Sequence, residues 1–276
     1  MRKWLYLVQF EWKKHKDYNV FRVMSIFYLV LLPSILLIGK KLPKSLNDVG
    51  FSIDSIYMFP GVWEYLGYAG NWLVFFFLGF MSVISITNEY SNKTLRQNII
   101  TGLDRKDYFL GKLAWVTTLA LAATLYYVLC GLLFGILHTE TIYWSKVVQN
   151  AVYIPRYFLM CMGYASFGMF LGFLIKRTGI AIFLYFAYIF FIERILRYSV
   201  HMNLIQHKSM QFYPMNATSD LIHMPMPLAM DGPATEFSKE VGFEFFLSPT
   251  EAVITTVIYS LLFLYGSYRI MTRSDL

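Results

Sequence analysis

The residues in this sequence best suited to binding chemistry lie between His201 and Met230. His201, Met202, His207, Met210, Met215, His223, Met224, Met226 and Met230 fall within 30 residues and include the run HMPMPLAM. Imidazole and thioether groups suit Cu(I), so His223, Met224, Met226 and Met230 form a candidate copper site. Methionine also fills irregular apolar interfaces, and no cysteine or acidic cluster accompanies the set, so packing is the competing explanation. Just upstream, Glu193, Arg194 and Arg197 interrupt an apolar run. At i, i+4 spacing Glu193 and Arg197 can neutralise each other as an ion pair near a membrane interface, or form an outer gate.

Catalytic chemistry is hard to place. The sequence has no His-Glu-x-x-His, no Gly-x-Ser-x-Gly and no paired carboxylates within an apolar run, which leaves an intramembrane hydrolase or a proton-coupled carrier little to work with. The phosphate loop Gly-x4-Gly-Lys-Ser/Thr is also missing: Gly111, Lys112 and Leu113 lack both the upstream glycine and the hydroxyl residue. No cofactor is expected on this chain, and any ATP and Mg must bind elsewhere. Cys130 and Cys161 both fall inside apolar runs, where small packing residues are expected in place of a disulfide or a metal site.

The densest charge lies in Asn88–Lys112, NEYSNKTLRQNIITGLDRKDYFLGK, between two long apolar runs. Ser91 can cap a short helix whose apolar positions Leu95, Ile99 and Ile100 share one side, with Lys93 and Arg96 outward and Gly102 at its end. Asp104 can cap the next helix, with Asp107 three residues on, and that helix continues into the following run. The expected product is a rod of about ten residues, roughly 15 Å long, with an apolar side free for another protein.

The elements that position these groups follow from composition. The 276 residues are 57% hydrophobic and only 15% charged, unlike a soluble domain. Six runs approach the length of about 20 residues that a transmembrane helix requires: 20–38, 65–87, 113–137, 157–175, 178–198 and 252–268. They are too long, and too apolar on every side, for barrel strands. Residues 1–19 place Trp4, Leu5, Val8 and Trp12 on one side of a basic helix, the pattern of an amphipathic helix lying on a membrane surface. No cleavable signal peptide is apparent, so the first span is expected to act as the targeting element.

With both termini inside, the inner segments carry 15 Lys and Arg against 6 acids, and the outer ones 9 against 11. The excess of positive charge places 88–112 in the cytoplasm. It reflects topology and contact with anionic lipid, not nucleic acid. Residues 199–249 then form an outer cap, and Pro33 should kink the first span. Gly131-x-x-x-Gly135 and Gly168-x-x-x-Gly172 permit close helix approach, within the chain or between subunits.

The stretch from Asn88 to Leu113 resembles ABC-2 type permeases, the membrane subunits of one class of ATP-driven transporters. In these, an acidic residue ends the second span, a Thr-Leu-Arg-like run follows, and a Gly-x-x-Arg element precedes a lysine at the third span. Glu89, Thr94, Leu95, Arg96, Gly102, Arg105 and Lys112 occupy those places. Many members have a glycine before the threonine, where this chain has Lys93. The six spans, inner termini, amphipathic helix and large outer loop extend the resemblance over residues 1–276 as one transmembrane domain. It implies that 88–112 is a coupling loop docking on a separate ATP-binding subunit through these residues and Ile99. It also implies a second permease subunit, identical or related, and a pathway along the second and fifth spans. The expected protein is an all-α, multi-pass permease of a bacterial-type inner membrane. It would export an apolar or amphipathic cargo such as a lipid, peptide or drug. A copper- or haem-related transporter, a stand-alone carrier and a membrane enzyme are the alternatives.

Overall fold

The computed structural model of the chain describes residues 2–39, 56–223, 225, 242–244 and 246–273. Among the described residues there are helices and no strands. In chain order the helices are α1 (Arg2–His15), α2 (Asn19–Gly39), α3 (Gly61–Ser91), α4 (Thr94–Ile100) and α5 (Arg105–His138). They continue with α6 (Trp144–Gln149), α7 (Tyr153–Ile175), α8 (Thr178–Leu204), α9 (Pro214–Ser219) and α10 (Pro249–Arg273). Six helical stretches are long and apolar enough to cross a membrane: α2, α3, α5, α7 together with α6, α8 and α10.

Each of the six expected runs lies within one of these stretches, but several helices extend beyond their run. α5 starts at Arg105, so its first two turns carry the charges of the loop. α8 does not stop at residue 198, the expected end of its run. It continues through Glu193, Arg194 and Arg197 to Leu204, because a folded segment that follows it, 208–223, satisfies the two buried charges. Two stretches of α8, Tyr188–Ile192 and Leu196–His201, are π-helical, as is Val74–Gly79 in α3.

The centre of the bundle is α7, packed along both α3 and α10. Its glycines explain how it lies so close. A Cβ at Gly168 would sit 2.6 Å from the Gly79 carbonyl oxygen, and one at Gly172 would sit 3.2 Å from Ile86. On α5, Gly131 and Gly135 make room for the Trp63 and Phe59 rings. Both Gly-x-x-x-Gly pairs therefore serve contacts within the chain.

Gly79 has a second duty. The Tyr185 hydroxyl of α8 donates to the Phe75 carbonyl at 2.9 Å, inside the π-helical turn of α3, and occupies the space a side chain at 79 would need. Gly79→Ala should force Tyr185 out, with a loss of about 1–3 kcal/mol. A melting temperature equal to that of the parent protein would contradict this packing.

Candidate functional site

The residues expected to act as one docking loop divide into an inward and an outward set. α4 has seven residues, shorter than the expected rod, and begins after Lys93 in the left-handed region (φ 57) rather than at a Ser91 cap. A helix this short is not stable alone, so tertiary contacts must hold it. Leu95 is 2% exposed and packs with Tyr108, Phe109 and Met271. It is a core residue, which corrects its expected role on a free apolar side. The periodicity was right about which side is apolar, but the chain itself covers that side. Ile99 is half-buried, whereas Arg96 and Ile100 face outward, Ile100 at 74% exposure.

Gly102 ends the helix with φ +104, a conformation that favours glycine. The Leu103 N–H returns to the Asn98 carbonyl at 3.0 Å, closing a Schellman-like turn. Arg105 donates to the Thr272 carbonyl at 3.0 Å and so ties the loop to the end of α10. Thr94 reaches the Glu89 carbonyl only at 3.4 Å.

Glu89 and Lys112 meet at the neck of the loop. Lys112 is fully buried, and its Nζ donates to Glu89 Oε1 at 2.5 Å and to Glu11 Oε2 at 2.6 Å. Lys14 Nζ bridges the same carboxylates, donating to Glu11 Oε1 at 2.8 Å and Glu89 Oε1 at 3.0 Å. Two lysines and two glutamates thus alternate in a closed, neutral set drawn from α1, α3 and α5. Desolvation makes a lone buried ion costly, and only close pairing with further hydrogen bonds offsets it. The Tyr108 ring lies under both ammonium groups, 5.6 Å from Lys112 and 5.9 Å from Lys14. Its hydroxyl and Glu89 Oε2 are buried without a hydrogen bond.

α1 reaches this set through Leu7, Glu11 and His15, which are buried at i, i+4, i+8 spacing. Burial pushes the Glu11 carboxyl up, but Lys112 and Lys14 beside it more than reverse this and hold it at about 2. Burial, reinforced by Lys112, lowers His15, which is therefore neutral at pH 7. Its Nδ1 lies 2.8 Å from the Glu11 carbonyl oxygen, so the proton sits on Nδ1. The ring stacks on Trp115, with centroids 4.9 Å apart. Trp4, Leu5 and Trp12 remain exposed. Sequence reasoning missed Glu11, although it is the one acid in a basic helix.

At the opposite end of α8, Glu193 and Arg197 are buried, 3% and 6% exposed. They do not form the expected ion pair. Glu193 accepts the Met215 and Asn216 N–H groups at 3.0 and 2.6 Å, capping the start of α9. Arg197 donates to the Met210 carbonyl at 3.0 Å and to Gln211 Oε1 at 2.5 Å. Both charges hold the 208–223 segment in place, because backbone amides and carbonyls there offer closer partners than the other side chain. Beneath this segment lies a cavity of about 300 Å³, walled by rings that include Trp72, Phe75, Tyr164 and Phe190. Its lining includes residues of all three π-helical turns, a feature often found at functional sites.

Of the four copper candidates only His223 falls among the described residues. Met210 and Met215 are buried packing residues, and His223 lies against Phe246, 5.1 Å between centroids. Burial lowers its pKa, with Arg156 adding to the effect. His201 and His207 both approach the Ser209 hydroxyl, at 2.9 and 3.1 Å. No group of three His, Cys, Asp or Glu that could hold a metal occurs among the described residues. Met224, Met226 and Met230 lie outside the described residues, as does most of the first outer loop.

Comparison with known proteins found no match among curated proteins. A family profile described as ABC-2 family transporter protein matches residues 54–266.

Proposed function

The chain belongs to the ABC-2 family of transporter proteins, and on that premise we propose that it is the permease half of an ATP-driven exporter energised by a separate ATP-binding subunit. Membership makes it a multi-pass membrane transport component, and permeases of this family generally work with such a subunit. The observation that carries the finer reading is the buried set Glu11–Lys14–Glu89–Lys112 at the neck of the loop. Displacement of α4 is passed through it to α1, α3 and α5 together, and through Arg105 to α10. A rigid-body movement needs such a connection.

In this reading Arg96, Ile99 and Ile100 dock on the ATP-binding subunit, which also holds ATP and Mg. α1 lies on the cytoplasmic face of an inner membrane, its exposed Trp4, Leu5 and Trp12 in the lipid interface, and both termini are cytoplasmic. Two permease subunits form the pathway. The ring-walled cavity with charged groups at its rim suits an amphipathic cargo.

The test is purification of the tagged full chain in mild detergent from its own cells, with mass spectrometry of what accompanies it. An ATP-binding subunit in near-equal amount is expected, and its absence even after crosslinking through 88–112 would overturn the reading. The loop also separates docking from folding. Ile100→Asp should change stability by no more than about 0.5 kcal/mol yet reduce stimulation of the partner's ATPase about tenfold. Leu95→Asp buries an unpaired charge and should lower stability whatever the partner does. Equal stimulation by the parent chain and Ile100→Asp would remove α4 from the docking surface.

A further inference from the structure

The cavity beneath the 208–223 segment is surrounded by four charged residues, Glu193, Arg194, Arg197 and Asp220. What it can hold depends on which of these already have partners. Glu193 spends one oxygen on each of two backbone amides. Asp220 accepts from the Leu247 N–H and the Asn216 side-chain amide, both at 3.1 Å and both on Oδ2. Arg197 is directed to Met210 and Gln211. Asn71, which is also in the wall, donates to Ser219 at 2.8 Å and accepts from Tyr164 at 2.9 Å. Arg194 differs: it is exposed at the rim and, among the described residues, makes no ion pair or hydrogen bond.

We propose that this cavity receives the anionic head, phosphate or carboxylate, of an amphiphile, with Arg194 as the group that recognises it. A guanidinium presents a planar fork that matches both anions in bidentate geometry. The rings of Trp72, Phe75 and Phe190 supply the apolar wall against which the first carbons of the tail lie. At about 300 Å³ the space takes a head and a few carbons, not a whole lipid. Trp72 and Arg194 are both exposed and mark its mouth, and Phe191 and Ile195 continue the apolar surface of α8 outside it. Burial raises the Asp220 carboxyl to about 7, so near neutral pH this wall acid carries only part of its charge. The opposing charges on Glu193 and Arg197 offset each other across the wall.

The cargo role of this ligand rests on the transport reading, but its binding does not, and the test uses binding. The purified full chain is placed in nanodiscs of phosphatidylcholine, and Trp72 fluorescence is isolated as the difference from Trp72→Phe. Brominated phosphatidylglycerol should quench it at least fivefold more effectively than brominated phosphatidylcholine. Arg194→Gln should reduce that preference below twofold with an unchanged melting temperature, and Arg194→Lys should retain part of it. Equal quenching by the two lipids, or a preference that survives Arg194→Gln, overturns the proposal. Displacement of the lipid by millimolar inorganic phosphate would overturn its amphiphile half and assign the site to a free anion; persistence of the preference supports the anchored head. A clear lipid preference with no ATP-binding subunit recovered would leave this site standing while the transporter reading fell.

Discussion

Replacing Lys112 by Met should cost about 3–5 kcal/mol, the penalty for removing one partner of a buried ion pair. The side chain is fully buried, and without it the Glu11 and Glu89 carboxylates are left with Lys14 alone. Lys112→Arg should recover little, because a larger planar group does not fit a site with no free surface. Lys112→Met combined with Glu89→Gln should recover most of the loss, since Glu11 and Lys14 remain as a matched pair at 2.8 Å. Thermal unfolding in detergent measures all three. If Lys112→Met melted with the parent protein, the closed set would not be a stabilising unit.

Acid should act on the same cluster. Glu11 is held at about 2, below its ordinary value of 4.5, so its contribution is present above about 4.5 and is lost as pH falls through about 2.

Asp220 should give the opposite pH dependence. Its folded carboxyl stands at about 7 against an ordinary 3.8, with burial as the main cause and Arg197 and the Leu247 amide opposing it. An acid that binds its proton more tightly when folded contributes stability below about 3.8 that is lost as pH rises through about 7. At roughly 1.4 kcal/mol per unit, the full span is about 4 kcal/mol as an upper bound. The charged groups acting on it are Glu193 and Arg197. Arg197 favours the ionised carboxylate and Glu193 disfavours it, and neither outweighs burial. The segment that Asp220 anchors should therefore exchange amide hydrogens faster at pH 8 than at pH 5, beyond the intrinsic change in exchange rate. Peptides covering 208–223 report it. Asp220→Asn keeps an acceptor for Leu247 and Asn216 and should abolish the difference. Equal pH slopes in Asp220→Asn and the parent chain would show that another group controls the segment.

The six long helices were legible because apolar runs near membrane length admit few other structures. Their ends were less so. Glu193 and Arg197 looked like the end of a span, since a sequence shows a charge but not the carbonyls and amides that solvate it 13 to 23 residues later. The π-helical turns left no trace that hydrophobic periodicity could detect. At the loop, Glu89, Leu95, Arg105 and Lys112 were singled out, but as part of a docking surface. Four of the positions expected to face a partner nevertheless hold the chain to itself. Leu95 shows why: periodicity identifies the apolar side of a helix, not what covers it. The role of Glu11 escaped notice because, apart from Lys14 three residues on, the groups it joins lie 78 and 101 residues away, at Glu89 through the shared lysines and at Lys112 directly. Its isolation among basic residues was the available signal.

Glu89 and Lys112 are 23 residues apart and directly bonded. Pinning these two ends together closes the segment between them into a loop whose inward residues, Leu95, Arg105 and Tyr108, pack on or bond to the spans while its outward residues do not. For a flexible insertion, closure entropy grows slowly, by about 0.6 kcal/mol for each doubling of length. The exchangeable part is therefore the outward side of the clasped segment, at Arg96 and Ile100. These outward residues can diverge to suit a changing partner, or take a short insertion, while Leu95 and Arg105 keep their contacts and the membrane helices keep their arrangement.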